Sequence, residues 1–204
     1  MKKALILISM VTLSFVAMAQ QGSWYIGGLA GFSSSKSEAA GGGPETVNSS
    51  WAFSPEIGTF LKDDIQLGIA LGIGGSKTEF DGDDESKSSQ LNPTLYGRKF
   101  FKITDNFSTF AGLYLDLVNE KNTDYDPTIE SKTSGFGARV GIGVAYALSP
   151  KFTAVGQYGL LGFQSTKDEV DGDEVSKASS FDFGVNSTGG SVFNVGIYYT
   201  FKQP

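Results

Sequence analysis

The chain has no cysteine and no histidine in its 204 residues. That excludes disulfides, thiolate chemistry and an imidazole base, and it removes the two ligand types that dominate zinc sites. A helical membrane span is missing too. The one apolar stretch, residues 4–16, is shorter than the roughly 20 residues a bilayer-crossing helix needs. Positive charge is scarce: 16 Lys and Arg stand against 22 Asp and Glu, a formal −6. No basic face of the kind nucleic acid requires is on offer. What the chain has in excess is glycine, 27 residues, and aromatics, 13%.

The first residues carry an address. Lys2 and Lys3, the apolar run 4–16 and Ala17-Met18-Ala19 follow one another as n-region, h-region and A-x-A cleavage site. The expectation is a signal peptide over residues 1–19 and an exported mature chain over 20–204, with an uncleaved N-terminal anchor as the alternative. No cysteine follows the h-region, so lipoprotein processing is excluded.

Beyond the address the pattern has period two, the signature of strands. Ile65, Leu67, Ile69, Leu71 and Ile73 share one face, and Gln66, Gly68, Ala70, Gly72 and Gly74 the other. The same alternation sets Phe136, Ala138, Val140, Ile142 and Val144 against Gly137, Arg139, Gly141, Gly143 and Ala145. Near the C-terminus it sets Phe193, Val195, Ile197, Tyr199 and Phe201 against Asn194, Gly196, Tyr198 and Thr200. Tight polar turns at Lys62-Asp63-Asp64, Thr104-Asp105-Asn106 and Ser149-Pro150-Lys151 alternate with long polar segments at 34–49, 76–88, 119–133 and 166–189. These connections predict eight strands, at 23–33, 50–61, 65–75, 90–102, 107–118, 134–148, 152–165 and 190–201. Most exceed the usual soluble length and match a tilted bilayer crossing of about 9–11 residues.

The face chemistry decides the fold class. Glycine and alanine make a poor solvent-facing sheet surface but fit the crowded interior of a small barrel, with the large apolar residues turned to lipid. The sequence therefore predicts an all-β chain: a closed eight-stranded antiparallel up-and-down transmembrane β-barrel, which leaves no backbone group unpaired in the bilayer. Glu56, Arg98, Asp116 and Arg139 fall on small or polar faces, together with Gln66 and Gln157. The expectation is an internal ion-pair network that plugs the lumen, with Arg98 and Asp116 meeting directly and Glu56 reaching across. The solvated face of a soluble sheet is the competing reading. Trp24, Tyr25, Trp51, Phe100, Phe101, Phe107, Tyr146, Phe152, Tyr198, Tyr199 and Phe201 lie near strand ends, where an aromatic girdle meets lipid headgroups.

Ser54-Pro55-Glu56-Ile57-Gly58 running into a tight turn, the strand end Tyr96-Gly97-Arg98-Lys99-Phe100-Phe101 and the terminal Tyr198-Tyr199-Thr200-Phe201 resemble the small bacterial outer-membrane β-barrel family. These are the porin-family barrels related to the transmembrane domain of outer-membrane protein A. The resemblance covers the mature chain and implies the bacterial outer membrane, with its lipids as surroundings. It also implies recognition by the barrel-assembly machinery through the C-terminal strand, although Lys202-Gln203-Pro204 follow the aromatic residue on which such signals usually end. It implies no single activity. The leading expectation is a structural or surface-interaction protein with a plugged lumen. The alternatives are a narrow pore for small solutes or ions, and a lipocalin-like carrier of an apolar ligand.

Nothing points to an enzyme, a cofactor or a metal. A Ser-His-Asp arrangement is impossible without histidine, and Glu56 and Asp116 read as partners of arginines rather than as an acid–base pair. Gly27-Gly28 and Gly141-x-Gly143 precede no helix, so no phosphate loop is implied. Segments 81–90 and 171–180 share the pattern D-G-D-x-x-S-K-x-S. Clustered carboxylates suit calcium, but the EF-hand spacing is absent, so the pattern reads first as a charged Asp-Gly hairpin tip.

Overall fold

The computed structural model describes residues 22–38, 44–124, 130–170, 172–183 and 194–201. The signal peptide expected over residues 1–19 lies outside them. The described chain is all β: β1 (Trp24–Glu38), β2 (Glu45–Lys62), β3 (Ile65–Phe80), β4 (Asp83–Lys102), β5 (Phe107–Asp124), β6 (Glu130–Ala147), β7 (Phe152–Val170), β8 (Asp173–Phe183) and β9 (Asn194–Phe201).

This corrects the expectation of a closed eight-stranded up-and-down barrel. There are nine strands in one antiparallel sheet, ordered β6-β5-β4-β3-β2-β1-β9-β7-β8, with a further β6–β7 pairing. A ring of pairings runs through β1 to β7 and β9, but not evenly round one axis. Strand β9 is only 8 residues long. It bonds β7 over Phe152 to Gln157 and β1 over Trp24 to Ala30. Above Leu161, β7 takes β8 instead. Among the described residues, the far edge of β8 and the edge of β1 beyond Ala30 have no strand partner.

The extra strand comes from a segment whose polarity made it read as a loop. Ser176, Ala178, Ser180 and Asp182 alternate with Lys177, Ser179, Phe181 and Phe183, and all pair along β7. Segment 76–88 is likewise hairpin rather than loop, as β3 and β4 continue to a turn at Asp81-Gly82. Asp81 (φ 52°) and Gly82 (φ 88°) are both left-handed, the type I′ geometry that Asp-Gly favours. Gly172, in the second copy of the motif, has φ 92°. Both hairpins slip register at the same motif position, between Thr78 and Glu79 and between Asp168 and Glu169. The motif thus builds matching hairpin tips, and among the described residues no cluster of three or more carboxylates could hold a metal ion. The three tight turns lie where the sequence placed them. Two are fastened by a hydroxyl: Phe107 N–H donates to Thr104 Oγ1 (3.1 Å) and Phe152 N–H to Ser149 Oγ (3.1 Å).

The faces point as expected. Ile69 is 58% exposed and Leu67 and Leu71 are exposed beside it, while Gln66 and Gly68 are buried. Ile26, Ile57, Leu95, Leu115, Ile142 and Ile197 extend this apolar exterior to other strands. A protein dissolved in water rarely shows so continuous an apolar surface. The girdle expectation holds only in part. Trp24, Trp51, Phe101, Tyr146, Phe152 and Phe201 are exposed, but Tyr25 and Tyr198 are buried inside the ring and Phe100 packs against them. Their inward position follows from strand parity, which overrides aromatic preference for strand ends.

Inside, the half of the ring nearest the tight turns is filled with rings. Tyr25 packs edge-on to Phe60 (centroids 5.6 Å) and Tyr198 (5.5 Å), and Phe100 lies 6.1 Å from Phe60 and 5.2 Å from Phe110. Small residues make room for them. A Cβ on Gly68 would strike the Tyr25 hydroxyl and sit 2.6 Å from the Tyr96 hydroxyl. Gly68→Ala is therefore expected to cost about 1–3 kcal/mol in a urea titration of the folded protein in lipid vesicles. Gly97→Ala, whose nearest neighbour would lie at 3.8 Å, is expected to change little.

Candidate functional site

The site is the polar layer above those rings, and register explains how it forms. Arg98 on β4 faces inward between Gln66 of β3 and Gly112 of β5, its cross-strand neighbours. Glu56 on β2 stands between Gly27 and Ala70, and Gln157 on β7 between Gly143 and Asn194. Each long polar side chain has at least one small neighbour, so it extends across the lumen instead of colliding with the wall.

Arg98 is the hub and is 2% exposed. Its Nε donates to Tyr114 Oη (2.9 Å). Its Nη1 donates to Tyr198 Oη (2.9 Å) and Gln66 Oε1 (3.2 Å). Its Nη2 donates to Gln157 Oε1 (3.1 Å) and Glu56 Oε1 (3.2 Å). The ion pair with Glu56 closes at 3.0 Å from Nη1 to Oε2, and Tyr198 Oη donates to the same Oε2 at 2.8 Å. The guanidinium also lies over the Tyr96 ring, 4.1 Å from its centroid. Tyr96 and Tyr25 share a 2.6 Å hydroxyl hydrogen bond. Among the described residues no buried side-chain polar atom lacks a partner. A buried charge is tolerated only in such a satisfied setting, because desolvation costs several kcal/mol per ion.

A second pair sits above the first. Arg139 Nε donates to Asp116 Oδ2 (2.7 Å) and its Nη2 to Oδ1 (3.2 Å), and Thr94 Oγ1 donates to Oδ1 (2.6 Å). Here the arginine side chain is 40% exposed, so the pair is wetter than the first. The Tyr114 ring joins the two layers: its hydroxyl accepts from Arg98, and the Arg139 guanidinium lies 4.7 Å from its centroid.

All four charges named from the sequence therefore face inward, but they pair differently from the expectation. Arg98 meets Glu56, and Asp116 meets Arg139; Arg98 and Asp116 do not pair. Register is the reason. Asp116 opposes Thr94, not Arg98, and four residues of strand put about 13 Å between those positions. Gln66 and Gln157 are in the network as their faces implied. The four tyrosines, Tyr25, Tyr96, Tyr114 and Tyr198, were missed as site residues. Tyr96 has the parity of Arg98 and Tyr114 that of Asp116, which was the available signal.

Above the network the lumen is open. A cavity of about 510 Å³ has Glu56, Tyr96, Tyr114 and Gln157 at its floor and reaches Gln90, Glu120, Gln164 and Asp182 on the outer halves of the strands. Outside the ring, the β7–β8 hairpin carries its own electrostatics. Lys167 pairs with Glu169 (2.6 Å) and Glu174 (3.6 Å), and Lys177 with Glu174 (3.0 Å). Hydrogen bonds from Ser176 and Thr133 hold the Asp168 carboxyl below its usual value of 3.8, and Lys177 holds Glu174 below 4.5. Depressed carboxylates favour the folded hairpin at any pH above those usual values, and the contribution disappears as pH falls through the lowered ones. Amide exchange corrected for intrinsic rates is therefore expected to show β8 protected at pH 6 and losing protection toward pH 3. Asp168→Asn is expected to flatten that dependence.

The chain matches the family model described as the outer membrane protein beta-barrel domain over residues 4–201. It belongs to that family. Outer-membrane location follows from the membership, and the apolar exterior and inward polar network are what such a location requires. No curated protein matches the chain. Among solved structures it is similar to outer membrane protein OprG from Pseudomonas aeruginosa, at 17% identity and a TM-score of 0.56, covering 91% of this chain and 98% of that one. It is also similar to the N-terminal β-barrel domain of Pseudomonas aeruginosa OprF, at 17% identity and TM-score 0.46, covering 89% and 98%. Neisserial surface protein A aligns at 14% identity and TM-score 0.47, covering 89% and 100%. Only the first bears on the fold, and at that identity on the fold alone. The protein is thus an outer-membrane β-sheet protein with a buried internal salt-bridge and hydrogen-bond network. Two of its inward carboxylates, those of Glu56 and Asp116, are engaged by arginines.

Proposed function

We propose that the protein is exported through a signal peptide cleaved after Ala19 and serves the outer membrane in a structural or surface-interaction role, with a lumen that does not conduct. The observation that carries this reading is the Arg98 layer. Five acceptor groups converge on one guanidinium across the full width of the ring, over a bed of packed aromatic rings. The terminal Tyr198-Tyr199-Thr200-Phe201 supports recognition of β9 by the barrel-assembly machinery. In this reading the tight turns face the periplasm and the hairpin tips at Gly82 and Gly172 face outward.

A narrow pore is the second reading, favoured by the 510 Å³ cavity that enters the ring from the hairpin side. A lipocalin-like carrier is disfavoured, since the large aliphatic residues it needs inside are on the exterior. Planar-bilayer recordings separate the first two. The refolded mature chain is expected to give no discrete conductance steps, and Glu56→Gln to introduce leakage. Steady openings of the unmodified chain would establish the pore instead.

A further inference from the structure

We propose that the outer rim of the sheet docks phosphomonoester headgroups of lipids in the outer leaflet, each held between two lysines. This rests on the reading that the hairpin tips face outward.

A repeat on the exterior face carries the inference. Three hairpins each set an apolar cross-strand pair on that face: Ile73–Leu91 on β3–β4, Leu117–Phe136 on β5–β6 and Phe163–Phe181 on β7–β8. Four residues farther out on each of these six strands stands a lysine. The lysines again face one another, as Lys77–Lys87, Lys121–Lys132 and Lys167–Lys177. Serine, glycine or asparagine fills the same-face position between. On β1–β2 the pair Phe32–Trp51 is followed in the same way by Lys36, opposite Val47. Four residues of strand cover about 13 Å, or about 10 Å along the membrane normal at the tilt of barrel strands. That lifts the lysines from the border of the apolar band to the depth of the headgroups.

The fold gives no reason for these pairs. Like charges directly opposite each other destabilise a sheet, and three hairpins repeat the arrangement. The carboxylates come two residues farther out still, as Glu79, Glu130 and Glu169, which pair with Lys77, Lys121 and Lys167. These ion pairs are solvent-exposed, the kind that contributes little in water, and each engages one lysine of its pair. Cα atoms of opposite residues lie about 5 Å apart, so both ammonium groups of a pair reach one phosphate. A phosphomonoester carries close to two negative charges and answers both lysines. A phosphodiester carries one. The apolar pair below each lysine pair gives an acyl chain its place, which a free phosphate does not use.

The test is electron paramagnetic resonance of the refolded mature chain in phosphatidylcholine bilayers at mildly alkaline pH. The bilayers carry traces of spin-labelled phosphatidic acid, phosphatidylglycerol or phosphatidylcholine, and the motionally restricted fraction reports the lipid held at the protein surface. Phosphatidic acid is expected to be enriched there at least about fivefold over phosphatidylcholine, the weight of one lysine beside an anionic lipid, and to exceed phosphatidylglycerol. Lys87→Gln, Lys132→Gln and Lys177→Gln together leave one lysine per pair. That variant is expected to bring phosphatidic acid down to the level of phosphatidylglycerol, whereas the three arginine replacements retain the enrichment. Equal enrichment of the two anionic lipids in the unmodified chain, enrichment of neither, or full enrichment in the glutamine variant overturns the proposal. If the glutamine variant does not fold, sodium chloride added to the unmodified chain is the second arm. Salt is expected to erase the preference, and a preference indifferent to salt overturns the proposal. Protease added to whole cells keeps the two readings apart. Cleavage in the hairpin tips without lipid enrichment removes only the lysine sites, whereas tips protected from outside remove the outward reading and the outer-leaflet assignment with it.

Discussion

Arg98→Met is expected to lower the free energy of unfolding by about 3–5 kcal/mol, read from urea titrations in lipid vesicles. The substitution fills similar volume but leaves the Glu56 carboxylate, 4% exposed, without its counter-ion. Only the Tyr198 hydroxyl would still donate to it. Gln66, Gln157 and Tyr114 would each lose a charge-assisted donor as well. Arg98→Lys is expected to recover only part of the loss, because an ammonium cannot reproduce a planar fork that reaches acceptors on four sides. Loss of the Asp116–Arg139 pair is expected to cost less, since that arginine is 40% exposed and water takes over part of its solvation.

The second large effect concerns the exterior. Ile69→Arg is expected to destabilise the protein in bilayers by about 2–4 kcal/mol, the cost of an arginine on the lipid face near the midplane. Ile69 is 58% exposed and lies directly across from Ile57 and Leu95, in the middle of the apolar band. A soluble sheet would accept an arginine at an exposed position within about 0.5 kcal/mol. Normal folding of Ile69→Arg together with failure of Ala70→Arg would reverse the faces and remove the membrane assignment.

Alternation made most of this legible. The row from Ile65 to Ile73 and the small row opposite fix which way β3 faces, and the same parity carries Glu56, Arg98, Asp116 and Arg139 inward. The three tight turns announce themselves through Asp, Asn, Ser and Pro between apolar runs. Polar strands were not legible. Segments 76–88 and 166–183 alternate serine, lysine and acid with few apolar markers, so the hydrophobic period that reveals a strand is absent. Their backbone still pairs, because an Asp-Gly turn returns each chain onto itself. That hidden pairing is what makes nine strands out of an expected eight and interrupts an even closure at β7, β8 and β9. Partner choice inside the ring was not legible either. Parity says which residues face inward, but only register says that Asp116 stands opposite Thr94 and that Arg98 has Glu56 within reach.

The central claim is that one guanidinium, with Glu56 as its counter-ion, ties the strands of the ring together inside the lumen, and a double-mutant cycle tests it most directly. Glu56→Gln and Arg98→Met are measured singly and together by urea unfolding in vesicles, beside a second cycle of Glu56→Gln with Arg139→Met. The account predicts coupling of about 2–3 kcal/mol in the first cycle and near zero in the second, because Arg139 is held by Asp116. Coupling near zero in both cycles would mean that the charges are solvated one by one, and the sealed lumen would be contradicted.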